Sequence, residues 1–212
     1  MDPIDLITLT REFGAGGGEL AEALGRRLGW RVLDRDIAGL VAERLAVDEE
    51  AVAARDEHAP GLLERLGTTI LRTSPELISF TPATDVPDPE HVAAAVRDVL
   101  REAAERPPLV IVGHGAAALF ADHPSALHVR LVAPIERRVE RICGRVGCGG
   151  RDAVGLAQRV DAERVSYMRQ FYRRDWRDPL LYDLQINTGD VTIADAAAMI
   201  EALMARRTVR RG

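Results

Sequence analysis

The sequence predicts an α/β fold in which a five-stranded parallel sheet carries helices on both faces. The first observation is the order of the periodic segments: strand, helix, strand, helical insertion, strand, helix, strand, two helices, strand, helix. The second is residues 109–112, which are continuously apolar, as buried parallel strands are. The third is a glycine cluster at residues 14–18, between an apolar strand and a helical pattern. Strands that alternate with helices in this order form parallel sheets, because each crossover returns the chain to the same edge.

The composition of the 212-residue chain fits one large domain. Hydrophobic residues make up 47% of it, which is enough for a sizeable core, and the net charge of −5 gives no bulk basic character for binding nucleic acid. The N-terminal residues lack the pattern of a signal peptide, and no apolar run approaches the roughly 20 residues of a membrane span. We therefore expect a cytoplasmic protein that binds a small molecule and has no nucleic-acid or membrane partner.

The two cysteines of the chain, Cys143 and Cys148, do not predict a metal site. Zinc needs more ligands, and His114, His123 and His128 are not spaced to supply them. In a reducing compartment we expect two thiols and no metal site built by the protein alone. A homodimer is a candidate assembly, for which the sequence contains no interface signal.

The glycine-rich segment at residues 14–18 predicts an anion site. Residues 4–10 form an apolar strand pattern, and residues 19–28 carry leucines at helical spacing, so bare backbone amides lie at a helix N-terminus. Unpaired N–H groups and the helix dipole attract negative charge there, and glycine lets a phosphate approach the backbone. The alternative is a glycine-rich turn with no ligand, and the loop alone favours neither interpretation.

This loop departs from the P-loop pattern G-x-x-x-x-G-K-[ST]. If Gly16 is the second glycine of that pattern, then Arg11 replaces the first glycine, Gly17 the lysine and Gly18 the serine or threonine. The chain contains no lysine, so its phosphate-binding side chains have to be arginines, which bind as planar forks.

Polar residues follow two further predicted strands, at the edge where open α/β sheets bind ligands. Asp34 and Arg35 come directly after a strand at residues 30–33, and His114 lies in a Gly-His-Gly sequence after residues 109–112. His114 is either a ligand contact or a structural turn residue, and the sequence favours neither.

Two arginine-rich helices are predicted in the second half of the chain. Arg138, Arg141 and Arg145 share one face of the first helix, and a glycine-rich link leads to a long helix at residues 153–174. Such a pair of helices predicts a lid that closes over phosphates. The alternative is a pair of solvated helices whose carboxylates nearly balance the arginines.

Together, four segments of the sequence resemble the cytidylate kinase-like proteins, which are relatives of the nucleoside monophosphate kinases within the P-loop fold. The segments are ITLTREFGAGGGELAEALGRRLGWRVLDRD, VIVGHGA, HVRLVAPIERRVERI and VDAERVSYMRQFYRRDWRDPLLYDLQINT. The resemblance covers nearly the whole chain and is weakest in the helical insertion. It implies one kinase-like domain over residues 1–212, with a core at 1–46 and 107–206, an acceptor-binding insertion at 47–106 and a lid region at about 143–176.

The resemblance implies transfer of the γ-phosphoryl group of ATP to CMP or dCMP, with Mg²⁺. The residues that it implies for catalysis, around the lid and the transferring phosphoryl group, are Arg138, Arg141, Asp161 and Arg164. The residues that it implies for ATP, in the loop and after the last strand, are Arg11, Gly14, Ala15, Gly16, Gly17, Gly18, Glu19, Asn187 and Thr188. The residues that it implies for the acceptor are Asp34, Arg35 and His114.

Three departures from the family pattern bear on activity. The family's loop commonly reads G-S-G-G-R-E, so Gly18 stands in place of an arginine, and His114 replaces the arginine of a G-R-G-A pattern. Loss of one well-placed transition-state donor typically costs about 2.7–4 kcal/mol, so two uncompensated losses predict a poor kinase. Mg²⁺ also lacks the usual hydroxyl ligand, for which Glu19 and Asp34 are candidate substitutes.

Three functions therefore stay open. The sequence favours a kinase for a pyrimidine nucleoside monophosphate. The alternatives are a nucleotide-binding protein with weak or lost kinase activity, and a kinase for a different small acceptor.

Overall fold

The computed structural model describes residues 3–34, 36–45 and 89–209. In these ranges the strands are β1 (Leu6–Arg11), β2 (Arg31–Leu33), β3 (Leu109–Val112), β4 (Ala126–Val132) and β5 (Leu184–Asn187). The α-helices are α1 (Gly17–Leu28), α2 (Ile37–Leu45), α3 (Pro89–Ala104), α4 (Ala116–Leu119), α5 (Ile135–Val146), α6 (Gly150–Tyr167) and α7 (Ile193–Val209). A π-helical segment (Met168–Tyr172) continues α6, and a 3-10 turn (Pro179–Leu181) precedes β5.

The five strands form one sheet in the order β2-β3-β1-β4-β5, and every pair is parallel. The predicted fold class is thereby confirmed. β1 lies in the centre, where Leu9 is opposite Val112 on one side and Val129 on the other. β5 is an edge strand and alternates in exposure, as the sequence pattern predicts. Since all strands are parallel, their carboxyl ends lie along the same end of the sheet. The loop after β1 begins there, where open α/β sheets bind ligands.

Helices cover both faces of the sheet because each presents one apolar stripe to it. On one face, α1 and α7 bury side chains that include Leu20, Leu24 and Ile200. On the other face, α2 and α3 contribute Ile37 and Val96. Burial of each such side chain stabilises the fold by roughly 1.5–3 kcal/mol. The central strand is therefore fixed on both sides, which gives the loop that follows it a rigid base.

One helix differs from the expectation. The pattern predicted a continuous helix at residues 153–174, but α6 begins at Gly150 and passes into the π-helical segment after Tyr167. Arg173 ends this segment with a left-handed φ of 54°. The extra residue of a π turn leaves no mark in the apolar spacing, so the sequence pattern does not reveal it.

Several predicted features lie outside the described residues. They are Arg35 and most of the predicted acceptor-binding insertion, of which α3 is the described end.

Both Cys143 and Cys148 are free thiols in the structure. In the described part of the chain, no helix has the length and apolar character needed to cross a membrane.

Candidate active site

The glycine-rich loop joins the carboxyl end of β1 to α1, and two of its glycines have backbone conformations that require glycine. Gly14 and Gly16 have φ values of 83° and 84°. A Cβ atom at Gly14 would lie 2.9 Å from the carbonyl oxygen of Arg138, and one at Gly16 would lie 2.7 Å from Cδ1 of Ile193. Side chains are therefore excluded at both positions by backbone strain and by contact. The loop is therefore a tightly packed turn in which Gly14 and Ala15 are buried and Gly16 and Gly18 are partly exposed.

The first turn of α1 forms the end of this loop. Gly16 is the N-cap residue and contributes no side-chain cap, so the first amides of the helix have no intrahelical partner. The buried side chain of Arg11 lies against this turn, since a Cβ at Gly17 would be 2.7 Å from its Cγ. Glu19 is exposed in the same turn. Backbone amides, helix dipole and a neighbouring guanidinium group together suit an anion.

Asp161 of α6 is the centre of a buried charged group beside the loop. Its Oδ1 accepts the backbone N–H of Phe13 at 2.8 Å, and its Oδ2 accepts Nη1 of Arg138 at 2.5 Å. The same nitrogen of Arg138 donates to the carbonyl oxygen of Phe13 at 3.2 Å. Arg164 donates to the carbonyl oxygen of Arg11 at 2.8 Å and lies 3.7 Å from the Asp161 carboxylate. Three of the predicted catalytic residues thus converge on the loop backbone.

The fourth predicted catalytic residue, Arg141, holds the other half of the loop together with Thr188. The hydroxyl of Thr188 donates to the carbonyl oxygen of Ala15 at 2.9 Å. Arg141 donates to the carbonyl oxygen of Thr188 at 2.5 Å and lies 3.4 Å from that of Gly14. Asn187 is exposed, and its side-chain oxygen accepts a backbone N–H two residues later. Of these two residues, Thr188 is buried against the loop, whereas Asn187 ends β5 and is open to solvent.

Two loop residues that the sequence analysis did not single out connect these groups. Phe13 is 5% exposed and packs with Ile142 and Val160 of the two predicted lid helices. The guanidinium carbons of Arg145 and Arg164 each lie 6.0 Å from its ring centroid. In the sequence, the sign that Phe13 and its neighbour Glu12 belong to the site is their position between the first strand and the glycine cluster.

Glu12, the second of these residues, ties the loop to the chain after β4. Its Oε2 accepts the backbone N–H of Ala133 at 3.1 Å and lies 3.8 Å from Nε of Arg138. Its own backbone N–H donates to the carbonyl oxygen of Leu131 at 3.0 Å. The loop is therefore fixed at its start as well as along its length.

Two of the predicted acceptor residues, Asp34 and His114, lie at the carboxyl ends of β2 and β3. A Cβ atom at Gly18 would be 3.7 Å from Oδ2 of Asp34, so this carboxylate faces the first turn of α1. His114 is fully buried, with a left-handed φ of 55°, and its carbonyl oxygen accepts the hydroxyl of Tyr172 at 3.0 Å. A Cβ at Gly115 would lie 2.2 Å from the ring of Tyr172. These contacts favour the structural turn over the ligand contact for His114.

The described residues contain no cluster of three or more His, Cys, Asp and Glu side chains that could hold a metal ion. A magnesium ion in a kinase needs less, because it is held by one or two carboxylates together with substrate phosphates and water. Asp34 beside the loop fits that requirement. The uncapped turn of α1 likewise fits the phosphates of ATP.

Comparison with known proteins agrees with this geometry. The sequence profile of the cytidylate kinase-like family matches residues 6–190. The chain belongs to this family. A cytidylate kinase from Methanopyrus kandleri is 31% identical over 118 residues, which are 50% of this chain and 61% of that protein. A uronate isomerase from Corynebacterium glutamicum is 26% identical over 98 residues, which are 46% of this chain and 19% of that protein. The chain thus spans less than two thirds of either relative.

Solved structures share the fold of this family member. An uncharacterized protein from Eubacterium ventriosum has a TM-score of 0.67 at 19% identity, over 95% of this chain and 98% of that one. Shikimate kinase from Acinetobacter baumannii has a TM-score of 0.51 at 18% identity, over 96% of this chain and 94% of that one. A gluconokinase from Sinorhizobium meliloti has a TM-score of 0.53 at 15% identity, over 99% of this chain and 98% of that one. At such identities the likeness shows a kinase-like fold.

Proposed function

We propose that the protein is a kinase that transfers the γ-phosphoryl group of ATP to a pyrimidine nucleoside monophosphate, CMP or dCMP. The observation that carries the proposal is the uncapped first turn of α1 behind a loop whose glycines exclude side chains, in a chain of the cytidylate kinase-like family. A cytoplasmic location, where ATP is available, is part of the proposal.

ATP would bind with its phosphates at the first turn of α1. The amides of Gly17 and Gly18 supply hydrogen bonds, and the dipole of the helix adds positive potential. Arg11 lies against the same turn. Asn187 is exposed at the end of β5 and would lie near the adenine, as the family pattern implies. No lysine is needed if these groups and the nearby arginines provide the field.

The acceptor would bind at the neighbouring strand ends, near Asp34 and the predicted insertion. An oxygen of its phosphate attacks the γ-phosphorus as the bond to the β-phosphate oxygen breaks, so the protein's task is to align the two nucleotides and to balance charge. Mg²⁺, which Asp34 would help to hold, neutralises phosphate charge when bound.

The test is calorimetric titration of the protein with ATP·Mg²⁺ and CMP, separately and together. ADP release is then measured with CMP, dCMP and UMP, and with a small polyol and a hydroxy acid as non-nucleotide acceptors. Binding of both nucleotides with ADP release supports the proposal. Binding of ATP without ADP release supports a nucleotide-binding protein instead. ADP release only with a non-nucleotide acceptor, such as a small polyol or hydroxy acid, supports a kinase for that acceptor.

The nucleotide-binding alternative is favoured by one specific observation, which is the glycine at position 18. The family pattern has an arginine there. Among the described residues, only Oδ2 of Asp34, at 3.7 Å, lies within 4 Å of a Cβ placed at Gly18. A side chain therefore has room. We expect Gly18→Arg to tighten ATP binding several-fold, because a guanidinium group returns to the loop. Gly18→Gln is the uncharged control and leaves the affinity near that of the wild type. If Gly18→Arg also raises turnover, the missing charge limits catalysis in this chain.

A further inference from the structure

We infer that Asp161 is a positioning residue that, together with Arg138, holds the loop backbone at Phe13 so that the following amides are preorganised for a polyphosphate. The inference rests on the proposed function and deepens it. The family resemblance implies a different role, a direct contact with the acceptor and the transferring phosphoryl group. The contacts of the carboxylate distinguish the two roles.

Both oxygens of the Asp161 carboxylate already have partners on the loop side. Oδ1 accepts the N–H of Phe13, and Oδ2 accepts Arg138, which in turn donates to the carbonyl oxygen of Phe13. One peptide unit on each side of Phe13 is thereby fixed by a charged pair. The side chains of Asp161 and Arg138 are each only 10% exposed. The carboxylate is therefore largely buried and directed at the loop backbone and at Arg138.

The electrostatics agree with a supporting role. A bare carboxylate beside a phosphate site would repel the ligand, but Asp161 lies between Arg138 and Arg164, so the group of three carries a net charge of +1. Arg164 also holds the carbonyl oxygen of Arg11. The carboxylate therefore orders two arginines and the backbone, and the group of three keeps a positive charge, with the Glu12 carboxylate 3.8 Å from Nε of Arg138.

The loop needs such support because it is rich in glycine. Glycine loses more conformational freedom on ordering than any other residue, so a free loop would order only at the expense of ligand affinity. Hydrogen bonds to the carbonyl oxygens of Arg11, Phe13 and Ala15 fix the backbone before the ligand arrives. A preorganised site binds more tightly, because less ordering accompanies binding.

The experiment compares the wild-type chain with Asp161→Ala and Asp161→Asn by calorimetry, using ATP and inorganic tripolyphosphate, each with Mg²⁺. We expect Asp161→Ala to weaken the binding of both ligands by a similar factor of at least ten, because ATP and tripolyphosphate would share the phosphate site that the change disturbs. Asp161→Asn keeps an oxygen that accepts the N–H of Phe13 and should recover part of the affinity. Glu163→Ala, an exposed change on the same helix, is the matched control and should bind as the wild type does.

Steady-state kinetics separate positioning from acceptor contact. Loop positioning predicts a raised KM for ATP in Asp161→Asn with the KM for CMP unchanged. An effect confined to the KM for CMP, or unchanged tripolyphosphate affinity in Asp161→Ala and Asp161→Asn, overturns the inference while the proposed function stands. If Asp161→Ala does not fold, the near-isosteric Asp161→Asn decides the question by the same two measurements. A wild-type chain that binds neither ATP nor tripolyphosphate overturns both the proposed function and this inference.

Discussion

Two similar charged arrangements lie near the ends of β4, one beyond its carboxyl end and one at its amino end. At the carboxyl end, Asp161 accepts a backbone N–H with one oxygen and Arg138 with the other. At the amino end, Asp183 accepts the N–H of His128 at 2.8 Å and Arg207 at 2.7 Å. In each arrangement the arginine also donates to a backbone carbonyl oxygen. We call Arg138, Asp161 and Arg164 the loop group, and His128, Asp183 and Arg207 the anchor group.

The two groups differ in what they hold. The loop group binds an irregular, glycine-rich segment at the edge of the sheet where α/β proteins bind ligands. The anchor group joins regular elements: β4, the start of β5 and the last helix, through Arg207 and the carbonyl oxygen of Ala126 at 2.9 Å. The same chemistry therefore positions a binding loop at one end and fastens secondary structure at the other. Location in the fold, and not residue type, separates the two roles.

The strongest test of this difference is Arg138→Ala. Removal of the guanidinium group leaves the buried Asp161 without a main partner, so we expect a loss of about 3–5 kcal/mol in the free energy of unfolding. ATP affinity should fall at least tenfold, because the carbonyl oxygen of Phe13 loses its hydrogen bond from Arg138. Urea denaturation and calorimetry measure the two effects. Arg137→Ala is the control, since the Arg137 side chain is 53% exposed and pairs only with Glu140 in the contacts described.

If Arg138→Ala destabilises the protein and leaves ATP affinity unchanged, the loop group is merely a second anchor. The comparison between the two ends of β4 would then be wrong.

Two glycines at opposite ends of α1 sharpen the comparison. Gly14→Ala places a methyl group in a left-handed conformation and 2.9 Å from the carbonyl oxygen of Arg138, so we expect a loss of about 3 kcal/mol together with weaker ATP binding. Gly29, at the far end of the helix, has φ 68°, and no atom of the described part of the chain lies within 4 Å of an added Cβ. Gly29→Ala should cost only about 1 kcal/mol and leave ATP affinity unchanged. Equal effects of the two changes on ATP binding would contradict a special role for the loop.

Asp183→Ala tests the other end of β4. It removes the acceptor for His128 and Arg207, so we expect a loss of about 2 kcal/mol in the free energy of unfolding. ATP affinity should stay the same, because no described contact of Asp183 reaches the loop. Asp190→Ala, an exposed change after β5, is the control for stability. A change of more than threefold in ATP affinity would show that the two ends are coupled.

The elements of the fold could be predicted where one physical signal dominates. Residues 109–112 are a strand in both the prediction and the structure, since a continuous apolar run of this length is typical of a buried parallel strand. Thr192, a residue type favoured at helix N-termini, caps the last helix, with its hydroxyl accepting the N–H of Asp195 at 3.1 Å. The π-helical segment Met168–Tyr172 could not be predicted, because the extra residue of a π turn leaves no mark in the apolar spacing.

The candidate site was predictable as a set of residues but not as a set of contacts. Helical spacing indicated that Arg138 and Arg141 share a face, and the structure brings both to the loop. That their guanidinium groups bind backbone carbonyl oxygens could not be predicted, because every residue offers the same carbonyl group and only the fold selects a partner. The role of Phe13 was missed for the same reason, since its backbone N–H meets Asp161 148 positions away.

The smallest expected effect is a pH dependence of stability that comes from the anchor group. Burial lowers the pKa of His128 below its usual value of 6.5, against the opposing charge of Asp183. Its Nδ1 lies 2.7 Å from the hydroxyl of Thr8, in the interior of the sheet. The unfolded chain therefore binds a proton at His128 more readily than the folded one. The contribution of this residue to stability is full above about pH 6.5 and decreases as the pH falls towards the folded pKa.

We expect the free energy of unfolding to decrease between pH 7.5 and pH 5.5 with a steeper slope in the wild type than in His128→Gln, which cannot take up the proton. Urea denaturation at several pH values measures the slopes. His91→Gln, at an exposed position of α3, is the control and should keep the wild-type slope. ATP affinity relative to the wild type should be unchanged in His128→Gln at every pH, because the anchor group acts on stability and the loop group on binding. Equal slopes in wild type and His128→Gln would place the titrating group elsewhere in the molecule.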